Sequence, residues 1–231
     1  MTPFILSHYD SNTLYAAANM LFKSNNRGDS WKCISPDLSS KPGPERQGNV
    51  PFGTITDISE SPLKKGLLYA GTDDGQLHVT QDDGVTWTKI NNGLPNRWVS
   101  RVVASKYDEA TVFVSLTGYR RDDFAAYLFI STDFGNTWNS IVNNLPGESI
   151  NVIREDPTDK EILYVGTELG AYCSIDKGEV WNSLCRTLPT CAVHDLEVHA
   201  QTGDLVAGTH GRSVFVLHAR EIHKIKQGMR E

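Results

Sequence analysis

Hydrophobic and polar positions alternate in short bursts along this chain of 231 residues. Residues 54–90 show the unit most clearly. "TITDIS" alternates as a half-buried strand does, "SPLKKG" reads as a turn, and "LLYAG" is a compact apolar strand. "TDDG" is a tight turn signal, "QLHVT" a third strand and "TWTKI" a fourth. Four short antiparallel strands in succession make a meander. The same order recurs as "FILS", "TLYAA", "MLFKS" and "SWKCI" over 4–34. It returns as "VSRVVAS", "TVFVSL", "YLFIS" and "TWNSI" over 98–142, and as "INVIR", "EILYVG", "AYCS" and "VWNSL" over 150–184. A last unit has "AVHDLEVH", "DLVAG" and "SVFVLH", with no clear fourth strand.

One motif punctuates the units. "SNNRGDSW" (24–31), "TQDDGVTW" (80–87), "STDFGNTW" (131–138) and "SIDKGEVW" (174–181) share Ser/Thr-x-Asp/Asn-x-Gly-x-x-Trp. Trp31, Trp87, Trp138 and Trp181 are spaced by 56, 51 and 43 residues. A repeat of roughly 40–50 residues matches one four-stranded propeller blade. The predicted fold is an all-β β-propeller of four-stranded antiparallel blades, about five of them. They form a single domain over 1–218, with blades near 3–35, 54–91, 98–142, 149–185 and 192–218. In the tail, 219–231, Ile222, Ile225 and Met229 fall at helix-like offsets, so a short amphipathic helix capping an edge is one reading and a solvated end the other. "NNGLP", "NNLP" and "RTLP" precede new first strands, so Leu94, Leu145 and Leu188 are expected to tuck under neighbouring blades.

Between third and fourth strands, the motif has a mechanical task. Gly84, Gly135 and Gly178, with Gly28, supply the positive φ of a tight hairpin. Asp82, Asp133 and Asp176, with Asn26, accept hydrogen bonds from the turn's own amides, and the tryptophans bury rings against the blade. The motif residues are therefore read as scaffold, with calcium binding or catalysis as the alternative.

Composition narrows the classes. Apolar residues make up 39% and charged residues 22%, ordinary for a globular chain. A net charge of −6 argues against a nucleic-acid partner. No run is apolar enough to predict a membrane span. The start, "MTPFILSHYD", lacks a basic n-region and a long apolar stretch, so no signal peptide is read. Cys33, Cys173, Cys185 and Cys191 show no C-x-x-C spacing; free thiols are preferred over a Cys185–Cys191 bridge. Neither a metal site nor a cofactor is expected.

The motif resembles the Asp-box, or bacterial neuraminidase repeat, of sialidases, xyloglucanases, sortilin-type receptors and a photosystem assembly factor. The longer stretches "VSRVVASKYDEATVFVSLTGYRRDDFAAYLFISTDFGNTW", "INVIREDPTDKEILYVGTELGAYCSIDKGEVW" and "GTHGRSVFVLH" are similar to the C-terminal part of the propeller in sortilin-like bacterial proteins, often labelled glycosyl hydrolases. The resemblance implies a secreted or periplasmic protein, although no signal is read. It also implies more blades than this chain supplies. An incomplete part of a larger ring of roughly six to ten blades is preferred, completed by another chain or copy; a small closed five-bladed ring is the alternative.

In such relatives, ligands use the face formed by the loops between second and third strands. There, "GTDDGQ" carries Asp73 and Asp74, "GTELGA" carries Glu168, and "GTHGRS" carries His210 and Arg212. The third blade replaces the short turn with "LTGYRRDDFAAY", bearing Tyr119, Arg120, Arg121, Asp122, Asp123 and Phe124. An aromatic beside paired arginines and aspartates suits a polar or glycan surface, and a solvated loop of internal ion pairs is the plainer alternative. Trp98 opens an inner strand close by. Aligned inner strands place Asp57, Arg101, Val152 and Asp195 in one row and Thr56, Ser100, Asn151 and His194 in the next.

Two functions are weighed. The first is a non-catalytic binding propeller for a protein, peptide or glycan, with Trp98, Arg101, Tyr119, Arg120, Arg121, Asp122, Glu168, His210 and Arg212 as candidate ligand contacts. The second is a glycoside hydrolase, or part of one, acting on polysaccharide through Asp73, Asp74, Asp122, Asp123 or Glu168, since that chemistry needs two carboxyl groups across the scissile bond. Arg97, Arg101, Arg121, Arg154 and Arg212 are present, but the Arg-Ile-Pro signature of sialidases is missing and xyloglucanase aspartates find no residue-by-residue match. Nucleophile elbows, phosphate loops and metal-ligand spacings are absent from the sequence.

Overall fold

A computed structural model describes residues 2–43, 52–184 and 190–228. The first sheet contains β1 (Phe4–Leu6), β2 (Leu14–Ala17), β3 (Leu21–Ser24) and β4 (Lys32–Cys33). The second contains β5 (Ile55–Glu60), β6 (Leu68–Thr72), β7 (Leu77–Thr80) and β8 (Thr88–Lys89). In the third are β9 (Trp98–Ala104), β10 (Val112–Gly118), β11 (Asp123–Ser131) and β12 (Asn139–Ser140). The fourth has β13 (Ile150–Glu155), β14 (Leu163–Thr167), β15 (Ala171–Ser174) and β16 (Asn182–Ser183). The fifth stops at three strands, β17 (Val193–His199), β18 (Asp204–Thr209) and β19 (Val214–His218), and helix α1 (Arg220–Gly228) follows. Strands pair in chain order within every sheet, so each sheet is a propeller-blade meander.

The chain divides into two compact units, residues 1–116 with 129–139 and residues 117–128 with 140–231. In the first, Tyr15, Leu21, Ile55, Ile58, Leu68 and Ala70 bury a core between the first and second sheets. In the second, Val152, Ile162, Tyr164, Val193, Leu196 and Leu205 do the same between the fourth and fifth. Each such large aliphatic contributes about 1.5–3 kcal/mol by leaving water.

Inner strands share a register defect. Pairing skips a residue between Ile55 and Asp57, between Ile150 and Val152, and between Val193 and Asp195. This bulge re-aims the residues that follow it. In the first unit it turns Asp57 toward the next inner strand, β9. Asp57 Oδ2 accepts the Val102 N–H at 2.8 Å, and Ser59 Oγ accepts the Ala104 N–H at 2.9 Å. Thr56 Oγ1 donates to the Val99 carbonyl at 2.7 Å. Gly71 leaves the room this seam needs, since a Cβ there would lie 2.3 Å from Val99 Cγ1.

The repeated motif closes each hairpin by one pattern. In the third blade, Ser131 Oγ donates to Asp133 Oδ1 at 2.7 Å and accepts the Gly135 N–H at 2.8 Å. Asp133 accepts the Thr137 amide and hydroxyl at 2.9 and 2.7 Å. Thr80–Asp82–Gly84, Ser174–Asp176–Gly178 and Ser24–Asn26–Gly28 repeat the arrangement. The residue before each glycine is also left-handed: Arg27, Asp83, Phe134 and Lys177 have φ of 58–60°. Their amides donate to Asn12, Gly66, Ala110 and Glu161 carbonyls, tying the hairpin to the first connection of its own blade.

The tryptophans hold blades together as well as hairpins. Nε1 of Trp87, Trp138 and Trp181 donates to the carbonyl of Ile34, Ile90 and Ile141, at 2.8, 2.7 and 2.8 Å. Each acceptor lies three residues past the preceding motif's tryptophan. Burial of the ring is not uniform, contrary to expectation. Trp181 is 4% exposed but Trp31 is 45% exposed. The fourth strands are also shorter than the pattern predicts, two residues each.

Helix α1 lies on the second unit. Ile222 packs against its core, Lys226 Nζ pairs with Asp159 and Glu161 at 2.8 Å each, and His223 Nε2 lies 3.0 Å from Asp156 Oδ2. Ile225 faces solvent, so ion pairs take the inward place expected for a second isoleucine. Met229, Leu188 and Cys185 lie outside the described residues. Leu145 is buried, and Leu94 is half-buried. Cys33, Cys173 and Cys191 are free thiols, and burial pushes Cys173 up to about 11.

Candidate functional site

The longest departure from the blade unit joins β10 to β11. β11 runs nine residues where β7 and β15 run four, so this hairpin is longer than its counterparts. Tyr119–Arg121 form a single 3-10 turn, closed by Asp122 at φ 54°. The strands draw so close at Gly118 that a Cβ there would lie 2.7 Å from the Asp123 side chain. Tyr119 and Phe124 meet edge to face, with centroids 5.9 Å apart, and both rings stay exposed. Arg120 and Arg121 are exposed between them. Asp123 is committed locally: its Oδ2 accepts the Tyr127 hydroxyl at 2.8 Å and its Oδ1 the Ala125 N–H at 3.2 Å. Two apolar ring surfaces beside two cations and the exposed Asp122 make an amphipathic contact patch.

In the first unit, Asp73 and Asp74 occupy the short turn after β6, and both are buried. Asp73 accepts the Gly53 and Thr54 amides at 2.8 Å each and the Thr54 hydroxyl at 3.0 Å. Asp74 accepts the Ser40 amide and hydroxyl at 2.7 Å each, and the Thr72 hydroxyl. These carboxylates fasten the connection that enters the second blade. Trp98 is half-buried at the start of β9, and Arg101 Nη1 lies 3.5 Å from Asp57 Oδ1. Ser100 and Ser115 hydroxyls are 2.9 Å apart.

In the second unit, Glu168 holds the turn position equivalent to Asp73 and accepts the Asn151 amide group at 3.0 Å. Glu148, which the pattern gave no reason to single out, accepts the Thr167 hydroxyl and, at 3.4 Å, the Tyr172 hydroxyl. Its signal was position: it stands two residues before β13, where a side chain reaches the same turn. Leu169, beside Glu168, is exposed. His210 and His194 rings lie 5.4 Å apart, and Arg212 is exposed on the same turn as His210. Val152 is buried, while Asp195 pairs with Arg154 at 2.8 Å. The inner-strand row is thus a set of separate local contacts in each unit.

Protonation follows these contacts. Hydrogen bonds from Thr86 lower Asp82 to about 2, and the Thr137 amide lowers Asp133 in the same way. Both motif carboxylates are held ionised as acceptors, which suits fastening and not proton donation. Among the described residues no cluster of histidine, cysteine and carboxylate groups is arranged to hold a metal, and no helix is long and apolar enough to cross a membrane.

Comparison with known proteins agrees with this architecture. A xyloglucanase of Hypocrea jecorina (strain QM6a) is 26% identical over 133 residues, covering 51% of this chain and 16% of its own length. The solved structure of an ancestral GH74 enzyme superposes with a TM-score of 0.71 at 16% identity, over 90% of this chain and 27% of that one. YCF48 bound to D1 peptide gives 0.62 at 12% identity, over 91% of this chain and 63% of that one. The chain therefore spans 16% of the xyloglucanase and 27% of the ancestral GH74 enzyme, and at these identities the structures share its fold. Residues 45–187, more than half of the sequence, match a defined family. With its successive blade meanders and that match, the chain belongs to the DUF6242 beta propeller domain family.

Proposed function

We propose that this chain is a non-catalytic binding propeller whose ligand, a polysaccharide, is engaged by the loop 119–124. The observation that carries the reading is the exposed Tyr119–Phe124 pair flanked by Arg120 and Arg121. Ring faces cover the apolar face of a sugar, and guanidinium groups donate to its hydroxyls. The likeness to xyloglucanases favours a glycan over the peptide bound by YCF48. The repeated motif reads as an Asp-box used as scaffold. Against hydrolysis stands the state of the carboxylates: Asp73 and Asp74 are buried and saturated with donors, and Asp123 and Glu168 each hold a local partner. A glycosidase acid needs a proton to give and an open path to the leaving oxygen.

A panel of soluble polysaccharides including xyloglucan, run by affinity electrophoresis with reducing-end analysis in parallel, tests this. Retardation by at least one polysaccharide without new reducing ends is expected. Release of sugar overturns the non-catalytic reading, and binding confined to peptides overturns the glycan reading.

A further inference from the structure

The two end sheets leave exposed what the inner sheets bury. Pairing aligns Phe4 with Ile58 and Val216 with Val79, since Phe4 faces Ala16 as Ile58 faces Ala70, and Val216 faces Val206 as Val79 faces Tyr69. Ile58 and Val79 are 4% and 5% exposed; Phe4 and Val216 are 72% and 59%. Leu6 on β1 and Val214 on β19 are exposed likewise. Uncovered sheet faces of this kind mark an interface.

The polar groups of the seam recur at the same two ends. Between β5 and β9, Asp57 and Ser59 accept the amides of Val102 and Ala104. Register places Asp195 and Glu197 of β17 where Asp57 and Ser59 stand in β5, opposite the glycine and the residue before the alanine. Both side chains are more than half exposed, with Arg154 beside them. Phe4 and Leu6 stand where Val102 and Ala104 do: the Pro3 carbonyl and the Ser7 amide bond to the β2 side, so the intervening Phe4 and Leu6 amides point to the open edge of β1. One end of the chain carries the acceptors and apolar face of a leading blade, and the other the donors and apolar face of a following blade.

We propose that these two faces are the halves of one heterologous interface between copies of this chain: β17–β19 of one copy against β1–β3 of the next. Asp195 and Glu197 accept the Phe4 and Leu6 amides of the next copy, and Val206, Val214 and Val216 pack on its Phe4 and Leu6. The interface joins different patches of two identical molecules, so blocking either patch blocks self-association, and two differently blocked chains still share one intact seam.

Sedimentation velocity over a range of concentrations tests it, using wild type, Leu6→Lys, Val216→Lys and an equimolar mixture of the two variants. The wild type is expected to associate. Each variant alone is expected to be monomeric, with association weakened by about tenfold or more. The mixture is expected to form dimers. Glu197→Gln, which alters no apolar contact, is expected to weaken association by a few-fold. Both lysines replace exposed side chains, and circular dichroism confirms folding. A wild type monomeric at all concentrations overturns the proposal, as does association that survives either lysine variant or a mixture that stays monomeric.

Discussion

At the residue scale, the motif glycines separate two demands. Gly135 has φ 90°, and a Cβ there would lie 2.5 Å from Ile90 Cδ1; Gly28 has φ 96°, but its nearest neighbour would be 3.7 Å away. Gly28→Ala is expected to cost about 1 kcal/mol for conformation alone, and Gly135→Ala about 2–4 kcal/mol because the seam must also open. Chemical denaturation of the two variants checks this; equal losses would remove the inter-blade role assigned to the motif. His78 gives a pH test. Burial lowers it from 6.5 to about 4, so the unfolded chain binds the extra proton between those values. Stability from this group is therefore complete above about 6.5 and lost as pH falls toward 4. The expected loss is about 2 kcal/mol after allowing for its partial exposure, and His78→Leu should flatten that part of the profile. The glycine and aspartate of the motif were legible because the turn's chemistry is local. The positive φ of Phe134 and its counterparts was not, because side chain identity at that position varies from Arg to Asp to Phe to Lys.

At the element scale, the meander was readable strand by strand, since alternation and turn residues are set within a few positions. The three-strand end of the fifth sheet was readable for the same reason. What pattern could not give was the use of each strand by its neighbours. Asp73 and Asp74 have the composition of a catalytic pair, and only the fold brings the Ser40 and Gly53–Thr54 amides onto them. Helix α1 was legible as a periodicity, yet its inward contacts are Ile222 and the Lys226 ion pairs, which long-range placement decides. The seam between β5 and β9 carries a prediction at this scale. Asp57→Ala leaves the buried Val102 amide without its acceptor and should destabilise by about 1–3 kcal/mol. Hydrogen exchange should then rise first at Val102 and Ala104; exchange unchanged there would mean the seam is held by packing alone.

At the scale of the molecule, the repeat converts a question about chemistry into one about loops. The residues that recur most regularly are spent on closing hairpins and tying successive blades, and the irregular hairpin that ends in Phe124 is left to vary. The contact patch on it was only partly legible in the sequence: composition marked the loop, but the extension of β11 and the edge-to-face ring pair needed the fold. The most direct measurement is titration calorimetry of a bound soluble polysaccharide against wild type and the Tyr119→Ala/Phe124→Ala double variant, with product analysis on the same samples. The expected result is binding by the wild type, a loss of at least about tenfold in the double variant, and no released sugar in either. Equal affinity in the two proteins, or sugar release by the wild type, would contradict it.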